Sequence, residues 1–201
     1  METFDAIYQR RSIKAFDPNV HLTSEEETKL LEATIQSPTS FNIQHWRFVV
    51  LRDPELRKTI REQYGNNQAQ MKDASLLILM TADTKAWRKD PGRYWQNAPK
   101  EVSDLLVGWM GPFHEEREWL QRDEAQRSIG MAMQTLMLAA KAMGYDSCPM
   151  IGFDIEKVAE LVKLPSDYVM GPMVAIGKGI KDPWPKGGQV PLSELVVDNH
   201  F

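Results

Sequence analysis

The sequence holds one cysteine, Cys148, so no internal disulfide can form and a reducing compartment such as the cytoplasm is the simplest address. Its four histidines, His21, His45, His114 and His200, stand at no ligand spacing from one another, so a metal centre is not expected. No apolar run approaches the roughly 20 residues that a bilayer-spanning helix needs. The opening Met1-Glu2-Thr3-Phe4-Asp5 carries acids where a secretory leader carries cations. Positive charge is not in excess either: 24 Lys and Arg against 28 Asp and Glu give a net charge of -4. Such a chain has no general attraction for nucleic acid or anionic membrane, so any anion site must be local.

Several catalytic signatures are missing as well. Gly177 and Gly179 follow an apolar run, but Asp182 stands where a dinucleotide fingerprint needs its third glycine, and prolines come next. His114-Glu115 opens like a zinc-protease helix, yet Glu118 occupies the second histidine position. There is no Gly-x-Ser-x-Gly elbow. Cys148 has neither a helix start nor a fixed base beside it, which reads as a packed thiol. What remains is a set of amides, hydroxyls and cations without an evident acid, base or nucleophile. That set suits a protein whose chemistry belongs to a bound cofactor.

What is present is globular: 42% hydrophobic and 26% charged residues over 201 positions suit one domain, 1–201, around one sizeable core. Near its start, Arg10-Arg11-Ser12-Ile13-Lys14-Ala15-Phe16-Asp17 packs three cations and a hydroxyl into five positions. Guanidinium and ammonium donors make charge-assisted hydrogen bonds to phosphate, each contributing about 1.5–3 kcal/mol. A solvated basic helix end is the plainer reading of the octapeptide alone.

Along the chain, Thr3 to Gln9 reads as a short helix running into the basic stretch. Thr23 or Ser24 with Glu26 or Glu27 makes a capping box for a helix that Pro38 ends. Ser37-Pro38-Thr39-Ser40-Phe41-Asn42-Ile43-Gln44-His45-Trp46 is dense in short polar side chains and should be an ordered loop at the start of the strand Phe48 to Leu51. Asp53-Pro54 opens a helix to about Gln63; Asn66 to Met71 is amide-rich; Leu76 to Met80 is a central strand. From 84 to 124, Trp87, Tyr94, Trp95, Trp109 and Trp119 are interleaved with charges, while Gly108, Gly111 and Pro112 should interrupt any long helix. This is either a helical excursion covering a pocket or a surface insertion anchored by aromatics. Glu124 to Met143 is a helix stopped by Gly144; Asp154 caps another; Tyr168 to Ile176 is a strand. The glycine- and proline-rich loop 177–188 leads to an apolar tail, Val190 to Val197, that another subunit could cover. Helices interrupted by a few strands without strict alternation predict an α+β fold, a central mixed and largely antiparallel sheet flanked by helices.

Three segments in this order, Arg10 to Phe16, Ser37 to Trp46 and Pro149-Met150-Ile151-Gly152-Phe153-Asp154, resemble the nitroreductase family of FMN-dependent oxidoreductases. The resemblance covers nearly the whole chain and is weakest over 84–124. It implies a homodimer with one FMN in each of two interfacial clefts. Arg10, Ser12 and Lys14 match positions that hold the flavin phosphate, ribityl chain and pyrimidine edge, with Arg11 adding to the phosphate grip. Pro38, Thr39, Ser40 and Asn42, with Gln44 after them, match the loop that the partner subunit lays against the ring. Asn67 and Gln70 fall where the family bonds the polar ring edge. Pro149, Met150, Ile151 and Gly152 match the segment that packs on the buried ring face and directs a backbone N–H toward N5.

Three departures from the family pattern stand out. Gln70 replaces a frequent lysine, Ile151 a frequent acid, and Gly187 and Gln189 a basic pair, with Lys186 the substitute phosphate contact. A neutral amide stabilises an anionic reduced ring less than a cation does. The implied activity is ping-pong hydride transfer from NAD(P)H through flavin N5 to a nitroaromatic, quinone or enone, with Trp87, Trp95, Trp109 and Phe113 as candidate pocket walls. Two other readings stay open: a flavoprotein oxidase or dehydrogenase of one metabolite, and a non-enzymatic flavin-carrying or ligand-sensing dimer.

Overall fold

The computed structural model of the chain describes residues 1–66 and 68–201. Strands β1 (Trp46–Val50), β2 (Leu76–Asp83), β3 (Asp146–Met150) and β4 (Tyr168–Gly177) form one sheet in the order β1-β2-β4-β3. Every pairing of these strands is antiparallel. A parallel contact enters through an isolated bridge between Ser12 and Ser147. The α-helices among the described residues are α1 (Thr3–Gln9), α2 (Ser24–Thr34), α3 (Pro54–Thr59), α4 (Gln70–Asp73), α5 (Lys100–His114), α6 (Glu118–Ala142), α7 (Ile155–Leu161) and α8 (Leu192–Leu195). The fold is α+β, and no described helix is long and apolar enough to cross a membrane.

Strand periodicity divides the core. Successive side chains of β2 point to opposite faces. Leu76, Ile78, Met80 and Ala82 pack with Ile129, Ala132, Leu136 and Ala140 of α6 and Leu30 of α2. Leu77 and Leu79 pack on the other face with Phe16, Ile60, Met71, Cys148, Phe153 and Val158. Fully burying such a side chain contributes about 1.5–3 kcal/mol. Because both faces are covered, all eight residues of β2 are buried. The second face matters for the site: it sets the basic stretch, the amide-rich turn and the segment after β3 around one layer.

Local signals formed as the chemistry requires. Thr23 Oγ1 accepts from the Glu26 N–H at 3.1 Å while Glu26 Oε2 accepts from the Thr23 N–H at 2.8 Å, a closed capping box. Asp154 caps α7 through the Lys157 N–H at 3.0 Å. Gly144 follows α6 at φ 86, the left-handed stop that glycine allows.

Other boundaries differ from expectation. α5 runs through Gly108, Gly111 and Pro112 rather than breaking. Pro112 lies in the last turn, where only one backbone hydrogen bond is lost and little helix follows to be displaced by the proline ring. α6 starts at Glu118, six residues before Glu124, because Leu120 and Gln121 are buried. α3 continues into a π-helical turn, Ile60–Tyr64. β3 carries Pro149 and no alternating pattern; it is tolerated because β3 is an edge strand. The apolar tail contains α8, and Leu192, Leu195, Val196 and Val197 on it are exposed.

Candidate functional site

The basic stretch begins where α1 ends. The Arg10 N–H closes the helix on the Ala6 carbonyl at 3.0 Å. The chain then turns extended, and the Ile13 N–H donates to the Ser147 carbonyl at 3.1 Å. Ile13 and Phe16 are buried, which holds the intervening positions toward the surface. Arg10, Arg11, Ser12 and Lys14 line a cavity of about 450 Å³ together with Trp184, Lys186 and Gln189 of the loop after β4. The fold thus brings two segments some 170 residues apart to one cationic hollow.

Within that hollow the cations are not equivalent. Arg10 Nη1 is buried and has no hydrogen-bond partner among the described residues. Leaving a charged donor unsatisfied costs at least about 1–3 kcal/mol, so the geometry is that of a group waiting for an acceptor. Arg11 donates from Nη2 to the Trp184 carbonyl, and Lys186 Nζ donates to the Tyr8 carbonyl at 3.1 Å. These two bonds tie the terminal loop to α1 and to Arg11 just beyond it, while both side chains still line the cavity. Lys14 Nζ lies 3.4 Å from Cys148 Sγ. Burial pushes the Cys148 thiol up, with the ammonium of Lys14 opposing, so this cysteine is a packed thiol rather than a nucleophile.

The amide-rich turn forms a second part. Asn67 lies outside the described residues. Gln70 is buried on α4, and its Nε2 donates to Gln68 Oε1 at 2.7 Å. Gln68 Nε2 donates in turn to the Gly152 carbonyl at 2.7 Å, and Asn66 Nδ2 to the same carbonyl at 3.1 Å. This joins Gln70 to the segment Pro149, Met150, Ile151 and Gly152, where Met150 is buried and Ile151 is 74% exposed. Gln68 and Asn66 carry this connection and were not singled out from sequence; the run of amides was the available signal.

Pro38, Thr39, Ser40, Asn42 and Gln44 lie elsewhere. Within one chain their loop shares no described hydrogen bond or cavity wall with the basic hollow. It is held by its own chemistry. Thr39 Oγ1 accepts from the Gln44 N–H at 3.0 Å, Asn42 Nδ2 donates to the Tyr94 carbonyl at 2.8 Å, and Phe41, Asn42 and Gln44 all have φ between 51 and 55. Three left-handed non-glycine residues in four positions need firm surroundings. These come from Ile43, Ala86, Trp87, Tyr94 and Met110, packed with Phe41 and Trp95. His114 stacks on Trp87 at 5.5 Å and meets Phe41 and Phe113 edge-on. His45 is wholly buried, with Nδ1 2.9 Å from Ser128 Oγ; burial first, then His114 and Arg47, bring its pKa down to about 4. Of the candidate pocket walls, Trp87 and Trp95 are packed into this nest, while Trp109 and Phe113 line a shallow hollow of about 340 Å³ with Phe41, Pro112 and Arg117.

A model described as the nitroreductase family matches residues 7–178. Protein DrgA of Synechocystis sp. is 68% identical over 98% of this chain and 95% of its own. YodC of Bacillus subtilis, provisionally named an NAD(P)H nitroreductase, is 30% identical over 96% of each chain. A protein of Exiguobacterium sibiricum, provisionally described as a nitroreductase and solved in complex with FMN, superposes with a TM-score of 0.90 at 28% identity, covering 98% of this chain and 97% of that one.

Proposed function

Since this chain belongs to the nitroreductase family and is accordingly an NAD(P)H-dependent oxidoreductase with FMN as its cofactor, we propose that the cationic hollow beside α1 receives the flavin phosphate and that two copies of the chain complete each site. The observation that carries this is Arg10 Nη1, a buried charged donor without a partner in a hollow walled by Arg11, Lys14 and Lys186. The donor set fits a phosphate and a polar chain: a guanidinium, an ammonium and the Ser12 hydroxyl on one extended run. Arg11 and Lys186 act on this reading by fastening the terminal loop to the rim through backbone carbonyls. Gln70 and the Ile151–Gly152 backbone serve the ring edge, joined as they are through Gln68.

A second copy of the chain is favoured by position. The loop Pro38 to Gln44 is rigid and set apart from the hollow of its own chain, so it is placed to serve a neighbour's. Exposed Phe4, Ile7 and Tyr8 on α1 and the apolar residues of the tail offer surface for that association.

When bound, FMN supplies the chemistry, accepting hydride from NAD(P)H and delivering it to a nitroaromatic, quinone or enone acceptor in alternating half-reactions. The chain's own contribution is grip, orientation and electrostatics. Titration of the flavin-free protein with FMN, read by quenching of flavin fluorescence, tests the site. Arg10→Ala should weaken binding about thirtyfold, the equivalent of about 2 kcal/mol for a charge-assisted bond. Unchanged affinity would remove Arg10 from the site. Anaerobic addition of NADH or NADPH should bleach the loaded protein, and an acceptor should restore its colour; failure of both donors to bleach it would point to a flavin carrier.

A further inference from the structure

We propose that Gln68 is a positioning residue, the middle link of an unbroken chain of hydrogen-bonded amides that runs from Gln70 to the backbone N–H of Gly152 and strengthens that N–H as a donor to the flavin N5 edge. The inference rests on the FMN reading above and adds a residue and a device that the resemblance does not contain.

The direction of the chain is fixed by its anchor. The Gly152 carbonyl can only accept, so Gln68 must turn its amide nitrogen toward it, at 2.7 Å. The Gln68 oxygen then faces Gln70, and an amide oxygen only accepts, so Gln70 must present its nitrogen, also at 2.7 Å. No flip of either side chain satisfies both contacts. Asn66 adds a second donor to the same carbonyl at 3.1 Å. Two amide donors on one carbonyl polarise the peptide unit that joins Gly152 to Phe153, whose N–H donates to the Ile151 carbonyl at 2.9 Å. That carbonyl belongs to the peptide unit joining Ile151 to Gly152, whose N–H finds no protein acceptor among the described residues. Every link has its donor and acceptor pointing the same way. Hydrogen bonds in such a series reinforce one another by about 10–30% each. The free end is therefore a better donor than an isolated peptide N–H.

Residue 152 is itself constrained by the relay. A Cβ there would stand 3.2 Å from Gln68 Nε2, closer than a side chain and an amide normally approach. Glycine lets the Gln68 amide lie against the backbone. Ile151 enters the relay only through its backbone carbonyl; its side chain, 74% exposed, takes no part.

The test loads the full-length protein and its variants with FMN, confirms stoichiometric uptake by absorbance, and reads the electron demand at N5 in two ways. These are the affinity for sulfite, which adds reversibly at N5 and removes the visible absorbance, and the NMR shift of isotope-labelled N5. Gln68→Leu breaks both of its links and should weaken sulfite affinity about twofold, a weakening of the Gly152 N–H as a donor rather than its loss, and move the N5 resonance. Gln70→Leu removes only the first link and should have a smaller effect in the same direction, below about 1.5-fold. Gln68→Glu still accepts from Gln70 but, ionised, offers no donor to Gly152. Its sulfite affinity relative to the unmodified protein should fall at least as far as that of Gln68→Leu near neutrality, where the carboxylate charge also opposes the anionic adduct, and should rise above the Gln68→Leu level as the pH falls toward the carboxylate range, where the acid regains a donor. A residue that only packs would not show that recovery. If Gln68→Leu and Gln68→Glu hold FMN with both readouts unchanged, the relay is overturned while the cofactor reading stands. An unmodified chain that takes up no FMN overturns the cofactor reading, and the relay with it.

Discussion

The hollow beside Arg10 and the aromatic nest around His45 handle charge in opposite ways, although both leave buried nitrogens without a partner, Arg10 Nη1 in the first and His45 Nε2, His114 Nε2, Trp87 Nε1 and Trp95 Nε1 in the second. The hollow collects cations at the surface, ties two of them to backbone carbonyls, and leaves one guanidinium nitrogen buried without an acceptor. The nest keeps its histidines neutral: burial drives both pKa values down, and each Nδ1 has a partner, Ser128 Oγ for His45 and the Met110 carbonyl for His114. Charge is retained in the first region and suppressed in the second. On the proposed reading the difference separates a place that receives an anion from a place that holds a strained loop, and each can be broken independently.

The largest expected effect lies under the hollow. Phe16 is fully buried and its backbone bridges to Gly179, so it pins the basic stretch to the sheet. Phe16→Ala should cost about 3–5 kcal/mol in urea unfolding. A cost below about 1 kcal/mol would mean that the stretch is held by its hydrogen bonds alone.

Next is the acid response of the nest. His45 has a folded pKa of about 4 against an ordinary 6.5, so as the pH falls below 6.5 the unfolded chain takes up a proton that the folded chain refuses. Stability is intact above that value, declines through the interval down to about 4, and levels off below it, with a total loss of about 3 kcal/mol. His45→Gln, which can keep a bond to Ser128, should flatten this decline in unfolding curves measured across the interval. An equally steep decline in the variant would assign the acid response to other groups.

The smallest effect concerns the loop that the nest supports. Asn42→Ala removes the donor to Tyr94 and leaves a residue with a Cβ at φ 55 without a local hydrogen bond. About 1 kcal/mol should be lost in thermal unfolding, with faster proteolysis between Pro38 and Gln44. The FMN affinity of a dilute, dissociated chain should not change, because the loop does not reach its own hollow; a large change would merge the two regions into one site.

Much of this was legible in sequence wherever the deciding interaction is local. The Thr23 capping box, the Asp154 cap, the Gly144 stop and the cationic cluster are settled by residues within a few positions of one another. The resemblance named the family whose model matches residues 7–178. β3 escaped notice because Pro149 and a short polar run hide an edge strand, and α5 because a proline in a final turn looks like a breaker when its distance from the helix end is unknown. Arg11 and Lys186, which the resemblance places at the phosphate, donate within one chain to carbonyls 173 and 178 residues away, pairings that no local pattern announces.

The sequence by itself determined the helix caps, the two-faced alternation of β2 and the presence of a concentrated cationic patch in an acidic chain, because each follows from neighbours along the backbone. Only the tertiary structure decided which cation is left without a partner and that Gln68, 84 residues from Gly152, joins Gln70 to that backbone. A hydrogen bond needs its partners within a few tenths of an ångström and correctly oriented, and between distant residues that is set by how the layers close, not by the order of amino acids along the chain.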